Sequence, residues 1–390
     1  MKKKMSVINL VSKTTFFITT LFMPTLWAES IDWQQVEKKA RGQHVYFHAW
    51  GGSPEVNRYL SWTSKELKDK YGISLHHVKV ANTAEVTSRL LAEKIAGKTK
   101  HGSVDLIWVN GENFRALKQN HMLFGPFLDS LPNWQYVDKS LPVTVDFSED
   151  TAGLEAPWGL GQLVFIHDKQ SLANPPQSFA DMLRYAKAHP ARLTYPKPPE
   201  FHGVSFLKSL LIELSNNDTR LQQPETEQSY TELTAPLWQY LDEFHQYAWR
   251  KGKQFPAGNA ETMQLLDDKQ IDLAISFNPN AVHAAKASGV LADSTEAYAL
   301  KQGALSNIHF LAIPWNANAK EAALITINFL LSSEAQSRKG DRQIWGDPAI
   351  LQPQYLTGNA KEYTPFRPIA EPHPSWQTRI EKDWLQRYGS

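Results

Sequence analysis

The chain has 390 residues and a net charge of +1, from 41 Lys+Arg against 40 Asp+Glu, with 13 tryptophans and no cysteine. The length suits two domains or one large one, and the lack of cysteine excludes disulfides, thiolate metal sites, iron–sulfur clusters and cysteine nucleophiles. Near-neutral charge argues against a nucleic-acid binder, and 42% hydrophobic with 21% charged residues is the balance of an ordinary globular protein.

Residues 1–28 read as a secretory signal peptide. Lys2, Lys3 and Lys4 form a basic start, residues 16–27 are mostly apolar, and Ala28 precedes the expected cut. Leu26 departs from the small residue usual three positions before cleavage. The alternative is a membrane anchor, which the short apolar run disfavours. Removing this leader, with its four lysines and no acid, takes the net charge from +1 to −3 and the tryptophans from 13 to 12. No later apolar stretch reaches the length of a transmembrane helix, and without cysteine no lipid can be attached through one. The expectation is a free protein of the periplasm.

Residues 43–50 predict a first strand, broken by Gly51-Gly52. Ser53 followed by Pro54 is a helix start, a hydroxyl cap with proline at the first position, and the helix runs to about residue 70. Residues 73–80 predict a second strand. Asn82 to Glu85 resembles a capping box, opening a helix that Gly97 ends. Residues 104–109 predict a third strand, buried on both faces. This β-α-β-α-β rhythm predicts a parallel sheet. Residues 145–157 then form a polar connection and 158–167 a strand. Ser178 caps a helix to about residue 188, and 193–195 is a short strand. An apolar helix over 203–215, a surface loop over 216–231 and an amphipathic helix over 235–250 follow. Strands are expected at 271–277 and 308–314, and an apolar helix at 319–331. The proline-rich tail from 347 wraps the surface and ends in a helix at 375–387.

Four predicted strands end in glycine or asparagine beside an aromatic residue. These corners are Trp50-Gly51-Gly52-Ser53, Trp108 with Asn110, Gly111, Glu112 and Asn113, Trp158-Gly159, and Ser276-Phe277-Asn278 with Asn280. In open parallel sheets, ligands bind beyond the carboxyl ends of strands. Glycine there admits a close ligand and frees backbone N–H groups, while aromatic rings supply stacking or cation–π faces. Each corner has a plainer reading: Trp50 and Trp108 as core, Gly51-Gly52 and Asn110-Gly111 as turns, Glu112 as a solvated charge. Their recurrence at strand ends favours a binding cleft.

Enzyme signatures are missing. There is no GxSxG elbow, no HExxH, no P-loop, and Gly159-Leu160-Gly161 lacks the third glycine of a dinucleotide loop. His76 and His77 point to opposite faces of their strand and cannot share a metal. His202 and His309 are better placed to meet a ligand. No cofactor is expected.

Ser103 to Phe114, Ala156-Pro157-Trp158-Gly159 leading to Lys169, Asn174 to Asp181, Leu193 to Pro196 with Pro199 to Gly203, and Phe310 to Pro314 before Asn328 to Gln336 together resemble the family 1 extracellular solute-binding proteins of ABC importers. The resemblance covers nearly all of the chain after the leader. It implies an α/β type II periplasmic binding protein fold, two α/β lobes with a hinged cleft between them. Lobe one then spans 29–157 plus 308–345, and lobe two 158–307 plus 346–390. It places ligand contacts on the four corners and on Phe201, His202 and Ser205. The iron-binding branch uses adjacent tyrosines, which this chain lacks. The implied function is to bind a small polar or cationic solute, thiamine-like or a polyamine, as a monomer. The implied partners are permease and ATPase subunits at the inner membrane. The rival from another class is a secreted hydrolase of a carbohydrate or phosphate ester, with Glu112, Asp105 and Asp146 as candidate carboxylates, though no pair at a useful spacing is evident. A structural envelope protein is the third reading.

Overall fold

The computed structural model describes residues 32–389, and the expected leader lies outside them. A helix that no predicted element covers, α1 (Trp33–Ala40), starts where the Asp32 carboxylate accepts two backbone N–H groups. β1 (His44–Trp50) leads to α2 (Pro54–Tyr71), which begins as expected: Ser53 Oγ accepts the Val56 N–H at 3.3 Å, and Gly72 ends the helix at φ 68°. β2 (Ser74–Val80), α3 (Thr83–Ile95), β3 (Leu106–Val109) and α4 (Gly111–Gln119) follow. β4 (Val145–Asp146) and β5 (Glu149–Asp150) form a small hairpin. Next come β6 (Glu155–Gln162), β7 (Val164–Asp168), α5 (Phe179–Ala188), α6 (Phe201–Leu214), α7 (Glu227–Tyr247), α8 (Asn259–Asp267) and β8 (Ala274–Ser276). The chain closes with α9 (Ala281–Ala287), β9 (Thr295–Tyr298), β10 (Ala304–Ala312), α10 (Lys320–Leu330), α11 (Ser333–Gly340), β11 (Pro368–Ala370) and α12 (Pro374–Tyr388).

One sheet runs β11-β10-β3-β1-β2, with β6 paired to β10, and another runs β8-β7-β9. β1 is parallel to β2 and β3, but β10 is antiparallel to β3. The first sheet is therefore mixed where the strand–helix rhythm predicts a parallel one, because β10 arrives from the far end of the chain. β6 and β10 pair antiparallel along their lengths, and both lead into the second sheet. The Gln162 and Leu163 N–H groups bond the carbonyls of Phe277 and Leu305 at 2.9 Å each.

Three expectations are corrected. The single strand over 158–167 is two, β6 and β7, in different sheets. Continuous burial hides the break, since all eight residues of β6 are buried. Residues 193–195 form no strand. Tyr195 is buried by the aromatic core, with Trp384 Nε1 donating to its hydroxyl at 2.8 Å. The loop expected over 216–231 gives way to α7 at Glu227, where Thr226 and Ser229 form a reciprocal capping box, and the helix continues through Pro236.

The second sheet's core is a large cluster of α5, α6, α7 and α12 residues, including Phe179, Leu207, Leu241, Trp376, Ile380 and Trp384. Trp376, Ile380 and Trp384 recur every four residues and occupy one face of α12. That face makes the tail helix part of this core. Trp384→Ala is expected to cost about 3–5 kcal/mol in urea unfolding, whereas exposed Leu385→Ala on the same helix stays within about 0.5 kcal/mol. Equal losses would contradict this placement.

Candidate functional site

Two groups of side chains gather where β6 and β10 pass between the sheets. The first is aromatic. Trp158 is fully buried, with its ring 4.9 Å from Trp108, 5.4 Å from Trp345 and 5.8 Å from His309. The Trp158 Nε1 has no hydrogen-bond partner among the described residues. Beside the rings, His309 Nε2 lies 3.1 Å from Asp347 Oδ2, and buried Lys339 pairs with the same oxygen. Burial opposes ionisation of Asp347, but His309 and Lys339 hold its carboxyl below the usual range. Gly159 makes this possible: a Cβ there would lie 2.1 Å from Asp347 Oδ2 and 2.3 Å from His309 Nε2. From the second sheet, Asn278 Nδ2 donates to the Trp345 carbonyl at 3.1 Å and Asn280 Nδ2 to that of Gly346 at 2.8 Å.

The second group surrounds Lys208, an ammonium 1% exposed inside the apolar run of α6. Its Nζ lies 2.7 Å from Glu371 Oε2, an ion pair rather than a well-directed hydrogen bond. It donates to Gln377 Oε1 at 2.9 Å and stands 4.4 Å from the Phe147 ring centroid. Asn307 Nδ2 holds the other Glu371 oxygen at 2.9 Å. From the α4 side come Glu112 and Asp146. The Gly111 N–H donates to Asp146 Oδ2 at 2.7 Å. Gly111 takes φ 60°, and a Cβ there would meet the Phe147 ring at 2.9 Å. Asp146 is 1% exposed, and its Oδ1 is unpartnered among the described residues. Burial, with Glu112 and Glu371 adding to it, pushes the Asp146 carboxyl well up. Burial and then Asp146 do the same to Glu155, whose two oxygens are also unpartnered. Glu112 is raised by burial against the pull of Lys208. Glu381 of α12 is pushed up to about 7 by burial and Glu112.

The expected site residues divide accordingly. Trp108, Trp158, Gly159, Asn278 and Asn280 meet around the first group, and Gly111 and Glu112 belong to the second. Phe201 packs on Phe277 at 4.9 Å and lies 6.0 Å from Lys208 Nζ. Asn113 joins Glu112 to α3, donating to Glu112 Oε1 at 2.8 Å and accepting from Thr87 at 3.1 Å. Asn110 is half-buried and its side chain makes no cap bond. Other side chains are engaged internally. Trp50 covers Gly52, and Lys79 lies against Gly51. Ser53 caps α2. Nδ1 of His202 lies 2.8 Å from Glu200, Ser205 donates to the Phe201 carbonyl at 2.8 Å, and Ser276 Oγ accepts from the Asn278 N–H at 3.1 Å. Residues that the corner pattern misses are Lys208, Phe147, Glu371, Gln377 and Glu381. Only Lys208 leaves a sequence signal, a lysine set among the leucines of α6.

A separate groove of about 530 Å³ lies between α4 and α12, lined in part by Arg115, Arg379 and Lys382. No cluster of three or more metal-ligating side chains occurs among the described residues. No described helix is long and apolar enough to cross a membrane.

Gly159→Ala is expected to cost about 1–3 kcal/mol in chemical unfolding, because the added methyl must displace the His309–Asp347 pair; a neutral result would contradict the packing. Glu381 supplies a pH test. Its folded value of about 7 exceeds the unfolded one of about 4.3. The folded state then holds the extra proton between them, so stability falls as pH rises through that window. Glu381→Gln should flatten stability between about pH 4 and 7, and an unchanged slope would refute the assignment.

Comparison with known proteins places this geometry. Residues 62–344 match the bacterial extracellular solute-binding protein family. Protein YnjB of Escherichia coli (strain K12) is 44% identical over 373 residues, covering 94% of this chain and 96% of that protein. Among solved structures, the TpPotD lipoprotein of Treponema pallidum aligns with a TM-score of 0.66 at 14% identity, over 88% of this chain and 98% of that one. A periplasmic thiamin binding protein aligns at 0.63 and 14%, over 88% and 95%. The periplasmic binding protein AfuA from Actinobacillus pleuropneumoniae, with fructose-6-phosphate bound, aligns at 0.63 and 13%, over 89% and 99%. These likenesses show the α/β periplasmic binding protein fold. Nothing among them supports a hydrolase. The chain belongs to the bacterial extracellular solute-binding proteins, which bind small solutes for ABC importers and are not enzymes.

Proposed function

We propose that the mature chain is a monomeric periplasmic protein that binds an organic cation between two lobes and delivers it to the permease and ATPase subunits of an importer at the inner membrane. The lobes are 29–157 with 308–345 and 158–307 with 346–390, and β6 and β10 are the crossing strands between them. Closing the lobes around a solute is a hinge motion that ligand binding biases. The leader at 1–28 directs export.

The observation that carries the cation reading is the surplus of carboxylates over ammonium groups around Lys208. Glu112, Asp146, Glu371 and Glu381 act on one another there, and Lys208 neutralises one of them. Carboxyl groups crowded together without a positive partner hold on to their protons, as Glu112, Asp146 and Glu381 do, and a cation beside them favours their ionised form. A solute cation supplies that partner, and Phe147, Phe201 and Phe277 provide aromatic faces for it. Among the aligned structures, the periplasmic thiamin binding protein and a putative spermidine/putrescine transporter protein from Listeria monocytogenes are named for cations, which is consistent with this reading.

The test uses the mature protein with thiamine, putrescine and fructose-6-phosphate in thermal-shift and calorimetric titrations, with X-ray scattering for compaction. At least one cation should raise Tm and reduce the radius of gyration. Glu112→Gln should weaken that binding about 10- to 100-fold, as expected for loss of a charged hydrogen-bond partner. Stabilisation by fructose-6-phosphate alone, or by none of the three, would overturn the cation reading.

A further inference from the structure

The family match ends at residue 344, yet the tail beyond it supplies part of the Lys208 group. Trp376, Ile380 and Trp384 bury one face of α12 in the second sheet's core. Gln377 and Glu381 sit one residue further round the helix, about 100° away, and so share the adjacent face. That face is turned to α4 and α6. Gln377 bridges Lys208 and Glu381, accepting from the first at 2.9 Å and donating to the second at 2.9 Å. The helix that carries Glu112, α4, packs against α12, and Glu112 acts on the Glu381 carboxyl. Lys208 is already matched by Glu371 at 2.7 Å. Glu112 on α4 and Glu381 on α12 thus have no ion-pair partner among the described residues. Asp146, 1% exposed with Oδ1 unpartnered among the described residues, lies in the same group.

We propose that α12 is the solute-selecting element of the site, with Glu381 opposing Glu112 so that a solute carrying two positive centres is preferred over one carrying a single charge. This rests on the cation reading above and adds to it the charge count of the solute and the residue that sets it. Each centre of a dication neutralises one carboxylate. A monocation leaves the other unmatched, and like charges held close disfavour closure. Gln377 is a positioning residue, fixing the Glu381 carboxylate relative to Lys208.

The experiment is calorimetry of the mature protein and its Glu381→Gln variant with putrescine, a dication, and thiamine, a monocation at neutral pH. Thermal melts confirm that the variant folds. Wild type should bind putrescine at least tenfold more tightly than thiamine. Glu381→Gln should lose about tenfold for putrescine and change less than twofold for thiamine. Gln377→Leu, which removes the donor to Glu381, should lower the ratio of putrescine to thiamine affinity. If wild type binds neither probe, the cation reading itself falls, and this inference with it. If wild type binds a cation but Glu381→Gln leaves the ratio of the two affinities unchanged, or if thiamine binds as tightly as putrescine, the role of α12 is refuted and the cation reading stands.

Discussion

One buried ammonium group constrains much of this molecule. An unpaired charge in the interior is prohibitively expensive, so Lys208 must be supplied with acceptors wherever α6 carries it. They come from distant parts of the chain: Glu371 at 2.7 Å from the segment after β11, and Gln377 at 2.9 Å from α12, 169 residues away in sequence. Asn307 of β10 fixes Glu371 in turn, and the Phe147 ring closes the α4 side at 4.4 Å. Satisfying one lysine therefore ties β10, α6, α12 and the hairpin before β6 together. The same assembly brings more carboxylates than the lysine can balance, and that surplus is the basis for assigning a cationic solute.

The His309–Asp347–Lys339 group does a different job. Lys339 pairs with Asp347, and His309 and Lys339 together hold the Asp347 carboxyl below the usual range. With Trp108, Trp158 and Trp345 around it, this group fastens the crossing strands to the turn at 345–347, which Asn278 and Asn280 grip from the other side. Gly159 is required there because any side chain would overlap the His309 and Asp347 heads. A balanced, rigid anchor thus lies beside an unbalanced, acid-rich group. The division suits the proposed closure of two lobes about the β6 and β10 strands, with charge left to be met by a solute.

Much of this was legible in the sequence, and the exceptions have physical causes. The Ser53-Pro54 start of α2, the Asn82 cap of α3 and the Ser178 cap of α5 are local signals, and each helix begins where they place it. The strand-end corners were legible as positions but less so as side-chain roles. Ser53 donates to Glu55 while capping α2, and Ser205 donates to the Phe201 carbonyl, choices that depend on local geometry no spacing rule encodes. Asp146 appears in the sequence only as an unpaired carboxylate before a loop, because its partners Gly111 and Glu112 reach it through the fold. Glu381 was hidden for the same reason. Its neighbour Glu112 is on a helix from the other end of the chain, and a proline-rich tail gives no hint that its last helix turns inward. Likewise, uniform burial concealed the break between β6 and β7, since period-two alternation disappears when both faces are covered.

The central claim is that a positively charged solute completes the carboxylate surplus around Lys208. Native mass spectrometry of the protein taken from the periplasm without denaturation tests it most directly. The account predicts a small organic cation carried through purification by wild type and lost from Glu112→Gln. A neutral or anionic molecule held equally by both proteins would contradict it.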